Sequence, residues 1–192
     1  MSVPNPQETE KYSEIVLDEG WKKLPAQYRM PERAPSLTEA QNFCRELAES
    51  HYENFHVATW FLPKRLRPHF QSIYAYCRIS DDLGDEVGNT QQSLALLDFW
   101  NRELDDCYRG TTRHPVFVAL AETIRICSIP KEPFAALLVA FRQDQTVARY
   151  RTMEELFGYC RNSADPVGRL VLYACGYREQ ELFAFSDFPC TA

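Results

Sequence analysis

The feature that most constrains this 192-residue chain is one helical stripe that changes character along its length. Stepping three or four residues at a time from Phe70 through Tyr74, Cys77 and Asp81 to Asp85 stays on a single helix face, so a face that begins as core ends in carboxylates. Asp81 and Asp85 repel as a like-charged i,i+4 pair, and drawing them toward an apolar interior adds desolvation, so the pattern calls for a cation between them. Mg²⁺ suits it: the ion keeps several waters, takes one or two carboxylates and bridges to phosphate oxygens. Arg78, one turn earlier, adds a bidentate donor for the same phosphates. A solvated acidic helix end shows the same pattern, and for an isolated DDxxD it is the commoner case.

The rest of the chain is helical in period. Ser36 and Glu39 form a capping-box signature ahead of Phe43 and Leu47, which predicts a helix over 36–50, and Pro68 opens the striped helix. Thr90 is the expected cap of a helix carrying Leu94, Leu97, Trp100 and Leu104, with Gly110 as its stop. Pro115 opens another. Pro133 opens a longer one reaching Ala148, Thr152 and Glu155 repeat the capping box, and Val167 to Cys175 is apolar up to Gly176. Period-2 alternation with hairpin turns is absent, so the predicted class is all-α. Residues 1–35 hold five of the 12 prolines and read as an extension or wrapping arm around one helical turn near Ile15, with the folded domain over 36–192. The closing stretch from Ser186 to Ala192 looks like a helix start with no helix behind it, as in a chain cut short.

With 45% hydrophobic and 25% charged residues the chain can build a real core. A net charge of -6 argues against sequence-independent nucleic-acid binding, which needs surplus Lys and Arg. Seven cysteines without a CxxC pair read as reduced thiols, and neither a signal peptide nor a span of ~20 apolar residues is present, so a cytoplasmic location is expected. The 12 Phe and 10 Tyr suit a dense core or an aromatic-walled pocket.

Longer segments carry a resemblance. His51-Tyr-Glu53-Asn54-Phe55-His-Val-Ala-Thr-Trp-Phe-Leu62-Pro63, then Arg67, then Ile73-Tyr74-Ala75-Tyr76-Cys77-Arg78 and Asp81-Asp82-Leu-Gly-Asp85 resemble the opening of a squalene/phytoene synthase. Asp144-Gln145, Tyr150, Glu155-Leu156 and Tyr159-Cys160-Arg-Asn-Ser-Ala164-Asp-Pro-Val167-Gly168 are similar to that family's YCxxxAxxVG segment, in the same order. The ENFxVAT form before Leu62-Pro63 most resembles the bacterial hydroxysqualene synthase branch. The resemblance covers about residues 40–192 and implies an isoprenoid-synthase helical bundle around a cavity. It further implies a Mg²⁺-dependent conversion of presqualene diphosphate to hydroxysqualene with release of diphosphate. Head-to-head joining of two prenyl diphosphates is the alternative within the family, and an inactive helical prenyl-binding module is the alternative outside it. The family's second acidic helix, of NxxxDxxxD type, is expected just beyond the end of this chain.

The same resemblance assigns roles. Asp81, Asp82 and Asp85 form the first Mg²⁺ motif, with Asp81 and Asp85 as direct ligands and Asp82 and Glu86 as outer or solvated partners. Arg78, Arg67 and His51 are expected at the diphosphate, and Gln145 is expected to bind substrate as a polar group of the cavity beside Asp144, a capped or salt-bridged surface pair being the alternative for these two. Tyr74, Tyr159 and Asp144 are expected in the cavity, the aromatic faces stabilising a carbocation. Core packing for the tyrosines and ordinary surface charge for the basic residues remain the alternatives. Implied partners are a prenyl diphosphate, other enzymes of squalene synthesis, and the inner membrane face, which an apolar product would meet peripherally.

Overall fold

The computed structural model describes residues 6–50 and 62–191, and every regular element among them is helical. Helix α1 (Pro6–Trp21) leads through a short 3-10 helix (Ala26–Tyr28) to α2 (Leu37–Ser50). Then come α3 (Arg67–Asp85), α4 (Thr90–Arg109), α5 (Pro115–Cys127), α6 (Glu132–Asp144), α7 (Met153–Ser163), α8 (Asp165–Cys175) and α9 (Gln180–Thr191).

Several expected boundaries rest on the expected atoms. The Ser36 amide donates to Glu39 Oε2 at 2.8 Å while the Glu39 amide donates to Ser36 Oγ at 3.3 Å, a reciprocal box. The Glu155 amide donates to Thr152 Oγ1 at 3.2 Å, although the Glu155 carboxylate reaches back to the Arg151 amide, at 2.7 Å, instead of to Thr152. Gly110 (φ 80) and Gly176 (φ 95) end α4 and α8 in the left-handed region. The cap of α4 is Asn89, one residue before the expected Thr90: its side-chain oxygen accepts from the Gln92 amide at 3.0 Å.

Helix α3 is the central strut, in contact with α2, α4, α5 and α6. Its fully buried Tyr76 meets Phe134 of α6 edge-on at 5.0 Å and stacks toward Trp100 of α4, which in turn lies 4.6 Å from Phe117 of α5. Each such ring removed from water contributes about 2–3 kcal/mol, so this aromatic cluster holds the strut against three neighbours.

Three expectations are corrected. The N-terminal segment is a 16-residue helix, not one turn near Ile15, and Trp21, Leu24 and Tyr28 join the main core. Its periodicity is thin in sequence; the helix is held by contact with α4, where Trp21 meets Phe99 edge-on at 5.5 Å. A Cβ on Gly20 would stand 2.9 Å from Leu96 Cδ1, so glycine permits that approach. Helix α6 stops at Asp144 instead of Ala148, because β-branched Thr146 and Val147 leave the helix and both amides bond back to the Gln143 carbonyl. Ser186 does not start a helix; it lies inside α9, which also accommodates Pro189.

Candidate functional site

Along α3 the striped face opens progressively. Phe70 is buried, Tyr74 and Cys77 are half-buried, Asp81 is half-exposed and Asp85 exposed, so the carboxylates sit where the core gives way to solvent. Burial and the adjacent Asp81 push the Cys77 thiol up to about 12, keeping it protonated.

Helices α6 and α7 complete this end. The Gln145 side-chain amide donates to the Gly84 carbonyl at 3.2 Å and to the Phe141 carbonyl at 3.4 Å, clipping the end of α6 to the last turn of α3. Gly84 makes room for it, since a Cβ there would lie 3.2 Å from Gln145 Nε2. The clip brings Asp144 beside Asp85. Partial desolvation, with the Asp85 charge adding to it, raises the Asp144 carboxyl above the usual range, while a hydrogen bond from Tyr159 opposes the shift. That bond runs from the Tyr159 hydroxyl to Asp144 Oδ2 at 3.0 Å, and desolvation plus Asp144 pushes the phenol up to about 12. The Tyr159 ring lies 5.2 Å from that of Tyr150.

Next to these rings is a cavity of about 480 Å³ lined by Gln143, Arg149, Tyr150, Arg151 and Tyr159 among others. Neither Arg149 nor Arg151 makes a side-chain ion pair among the described residues, and the two guanidiniums line this cavity together with Glu155. Sequence reasoning passed over both. An Arg-Tyr-Arg run between two expected helices was the available signal.

Asp82 is not the solvated partner that was one of its two expected roles. It is 4% exposed, its Oδ2 accepts from the Tyr28 hydroxyl at 2.7 Å, and its Oδ1 accepts from Arg78 Nη2 at 2.5 Å. Both oxygens are therefore engaged within the protein. Arg78 is held side-on by Asp82 and has Nη1 3.7 Å from Asp81 Oδ2. Burial works against its charge, and the carboxylates of Asp82 and Asp81 more than offset that.

Arg67 is not brought to the acidic end. It starts α3, with Nε donating to the Leu62 carbonyl at 3.2 Å, and 14 residues of helix place it about 21 Å from Asp81 along the axis. His51 lies outside the described residues. The structure thus gathers Arg78, Asp81, Asp85, Asp144, Gln145 and Tyr159 at one end of the bundle, with Tyr74 on the same face of α3 about 10 Å from Asp81 along the axis.

Among the described residues no three His, Cys, Asp or Glu side chains converge as a complete metal cage. The Asp81–Asp85 pair nevertheless fits a hard divalent ion that completes its shell with water and phosphate oxygens, and the mutual repulsion of Asp85 and Asp144 is the kind a cation relieves.

A helical bundle whose central strut ends in paired aspartates, faced by a tyrosine and a polar helix terminus, is an isoprenoid-synthase type of fold. Comparison narrows the class: the squalene/phytoene synthase family matches residues 48–188, and the chain belongs to that family. It is 33% identical over 139 residues to the 15-cis-phytoene synthase of Synechococcus elongatus, covering 72% of this chain and 45% of the relative. With the phytoene synthase of Arthrospira platensis the identity is 30% over 151 residues, covering 78% and 49%. The crystal structure of squalene synthase HpnC from Alicyclobacillus acidocaldarius superposes with a TM-score of 0.77 at 44% identity, over 90% of this chain and 61% of that one. A dehydrosqualene synthase solved in complex with ligand gives 0.69 at 27% identity, over 81% and 52%. The chain spans about half the length of the curated relatives it matches.

Proposed function

We propose that this chain carries the first acidic motif of a Mg²⁺-dependent synthase acting on prenyl diphosphates in squalene or hopanoid synthesis. The observation that carries the reading is the placement of Asp81 and Asp85 on the face of α3 that also bears Tyr74 and meets Asp144, Gln145 and Tyr159. Asp81 and Asp85 would hold the ion, which when bound neutralises diphosphate oxygens and eases their departure. Arg78 presents its Nη1 edge to the same anion. The allylic or cyclopropylcarbinyl C–O bond breaks with its electron pair leaving on diphosphate. Tyr74 and Tyr159 turn aromatic faces to the cation that remains, and a raised phenol stays protonated beside it.

The ENFxVAT form before Leu62-Pro63 favours presqualene diphosphate as substrate and hydroxysqualene as product, a water supplying the hydroxyl and releasing one proton. Joining two prenyl diphosphates head to head is the alternative in the same family. Incubation with presqualene or farnesyl diphosphate and Mg²⁺ should release diphosphate and yield hydroxysqualene from the former; Asp81→Asn should abolish both. No release from either substrate overturns the reading.

The alternative outside the family's chemistry is a helical prenyl-binding module. Tight binding of a farnesyl chain that ignores Mg²⁺ and survives Asp81→Ala would support it. No helix among the described residues is long and apolar enough to cross a membrane. A cytoplasmic protein delivering an apolar product would touch the bilayer peripherally, which co-sedimentation with liposomes tests.

A further inference from the structure

Residues 21–28 lie outside the family-matched segment, yet they grip the acidic end of α3. Lys23 Nζ donates to the Val87 carbonyl at 2.9 Å, just past the helix, and the Tyr28 hydroxyl donates to Asp82 Oδ2 at 2.7 Å. The Tyr28 carbonyl in turn lies 3.1 Å from His114 Nε2, while His114 Nδ1 accepts from the Val116 amide at 3.2 Å. Because Nδ1 accepts, the imidazole proton sits on Nε2 and is donated to Tyr28. Tyr28 is 1% exposed and His114 fully buried, so the phenol cannot shift without opening a cavity in the core.

Asp82 is the group this grip acts upon. It accepts from Arg78 Nη2 at 2.5 Å and from Arg78 Nε at 3.3 Å, a side-on pair that uses one edge of the guanidinium. The other edge, Nη1, is left 3.7 Å from Asp81. The direction of Arg78 follows from the rotamer of Asp82, and that rotamer is held by Tyr28.

We propose that Tyr28 is a positioning residue for diphosphate binding: by holding Asp82 Oδ2 it fixes the side-on Asp82–Arg78 pair and so presents Arg78 Nη1, beside Asp81, to a phosphate oxygen. This rests on the reading of the α3 end as a Mg²⁺–diphosphate site. Without the phenol, Oδ2 regains an open lone pair, and Arg78 can turn end-on to Asp82 through Nη1 and Nη2. That turn withdraws the edge the phosphate would use.

The test compares Tyr28→Phe, Arg78→Ala and Tyr76→Phe in the full chain, titrating inorganic pyrophosphate with saturating Mg²⁺ and following thermal unfolding. Tyr76→Phe is the control, because it also removes a buried phenol bond, to the Phe134 carbonyl at 2.9 Å, but on the core side of α3. Tyr28→Phe should weaken pyrophosphate about tenfold or more, the worth of one hydrogen bond to an ion, and raise KM for the prenyl diphosphate with little change in kcat. Tyr76→Phe should lower the melting temperature without moving the affinity. If Tyr28→Phe binds as tightly as wild type while Arg78→Ala is weakened, the positioning role is wrong and the site reading stands. If wild type itself shows no Mg²⁺-dependent pyrophosphate binding, both fall.

Discussion

The Tyr159 hydroxyl donates to Asp144 Oδ2 at 3.0 Å, joining α7 to the end of α6 within reach of the Asp85 charge. The bond partly offsets the desolvation and repulsion that raise the Asp144 carboxyl. Tyr159→Phe should therefore raise it further, and Asp85→Asn should lower it, both read by carboxyl NMR titration. A folded value above the unfolded one means stability is full below the ordinary carboxylate range and is lost as pH rises through the raised value. Once the carboxyl is charged that stabilisation is gone, so Asp144→Asn should leave thermal stability equal or higher; a clear drop would contradict the assignment.

Adjacent aspartates should behave oppositely. Asp81→Asn should remove Mg²⁺-dependent pyrophosphate binding while leaving stability nearly unchanged, since Asp81 is half-exposed. Asp82→Asn leaves one side-chain oxygen to serve two donors, the Tyr28 hydroxyl and Arg78, and removes the charge that balances Arg78, so it should cost about 2 kcal/mol. Denaturant melts and pyrophosphate titration on the two variants separate these outcomes.

His114 supplies the acid limit of the fold. Burial lowers its pKa to about 4, a little offset by the bond to the Tyr28 carbonyl, so it is neutral when folded. The unfolded histidine titrates near 6.5, so the stabilisation is full above that value and is lost as pH falls toward 4, on the order of 3 kcal/mol. Melting temperature should fall across this window in wild type, and His114→Gln should flatten the dependence.

Gly168 carries a steric prediction. A Cβ there would lie 2.4 Å from Ser186 Oγ and 2.6 Å from Cys190 Sγ, so α9 seats on α8 only over a bare backbone. Gly168→Ala should cost about 1–3 kcal/mol and speed amide exchange in α9. Adding Cys190→Ala should recover part of the loss; no recovery would place the strain elsewhere.

Much of the bundle is legible from residues one turn apart. The Ser36–Glu39 box, the Gly110 and Gly176 stops and the Phe70-to-Asp85 stripe are local signals, and the structure honours each. What failed had two causes, one contact at long range and competition between neighbouring local signals. Helix α1 is held by α4, Asn89 outcompeted its neighbour for the cap, and α6 broke at two β-branched residues inside a pattern that still looked periodic.

The acidic end shows the same division. Sequence by itself determined the helical class, the family, and the alignment of Asp81 and Asp85 on one face, because helical periodicity is set by covalent geometry and neighbouring residues. Only the tertiary structure decided that Asp82 turns inward to Tyr28, that Arg67 stands far off and that Asp144 and Tyr159 come beside Asp85. Those outcomes depend on which side chains from distant segments compete for the same carboxylate in three dimensions, and pairing across 54 positions leaves no periodic trace in the chain.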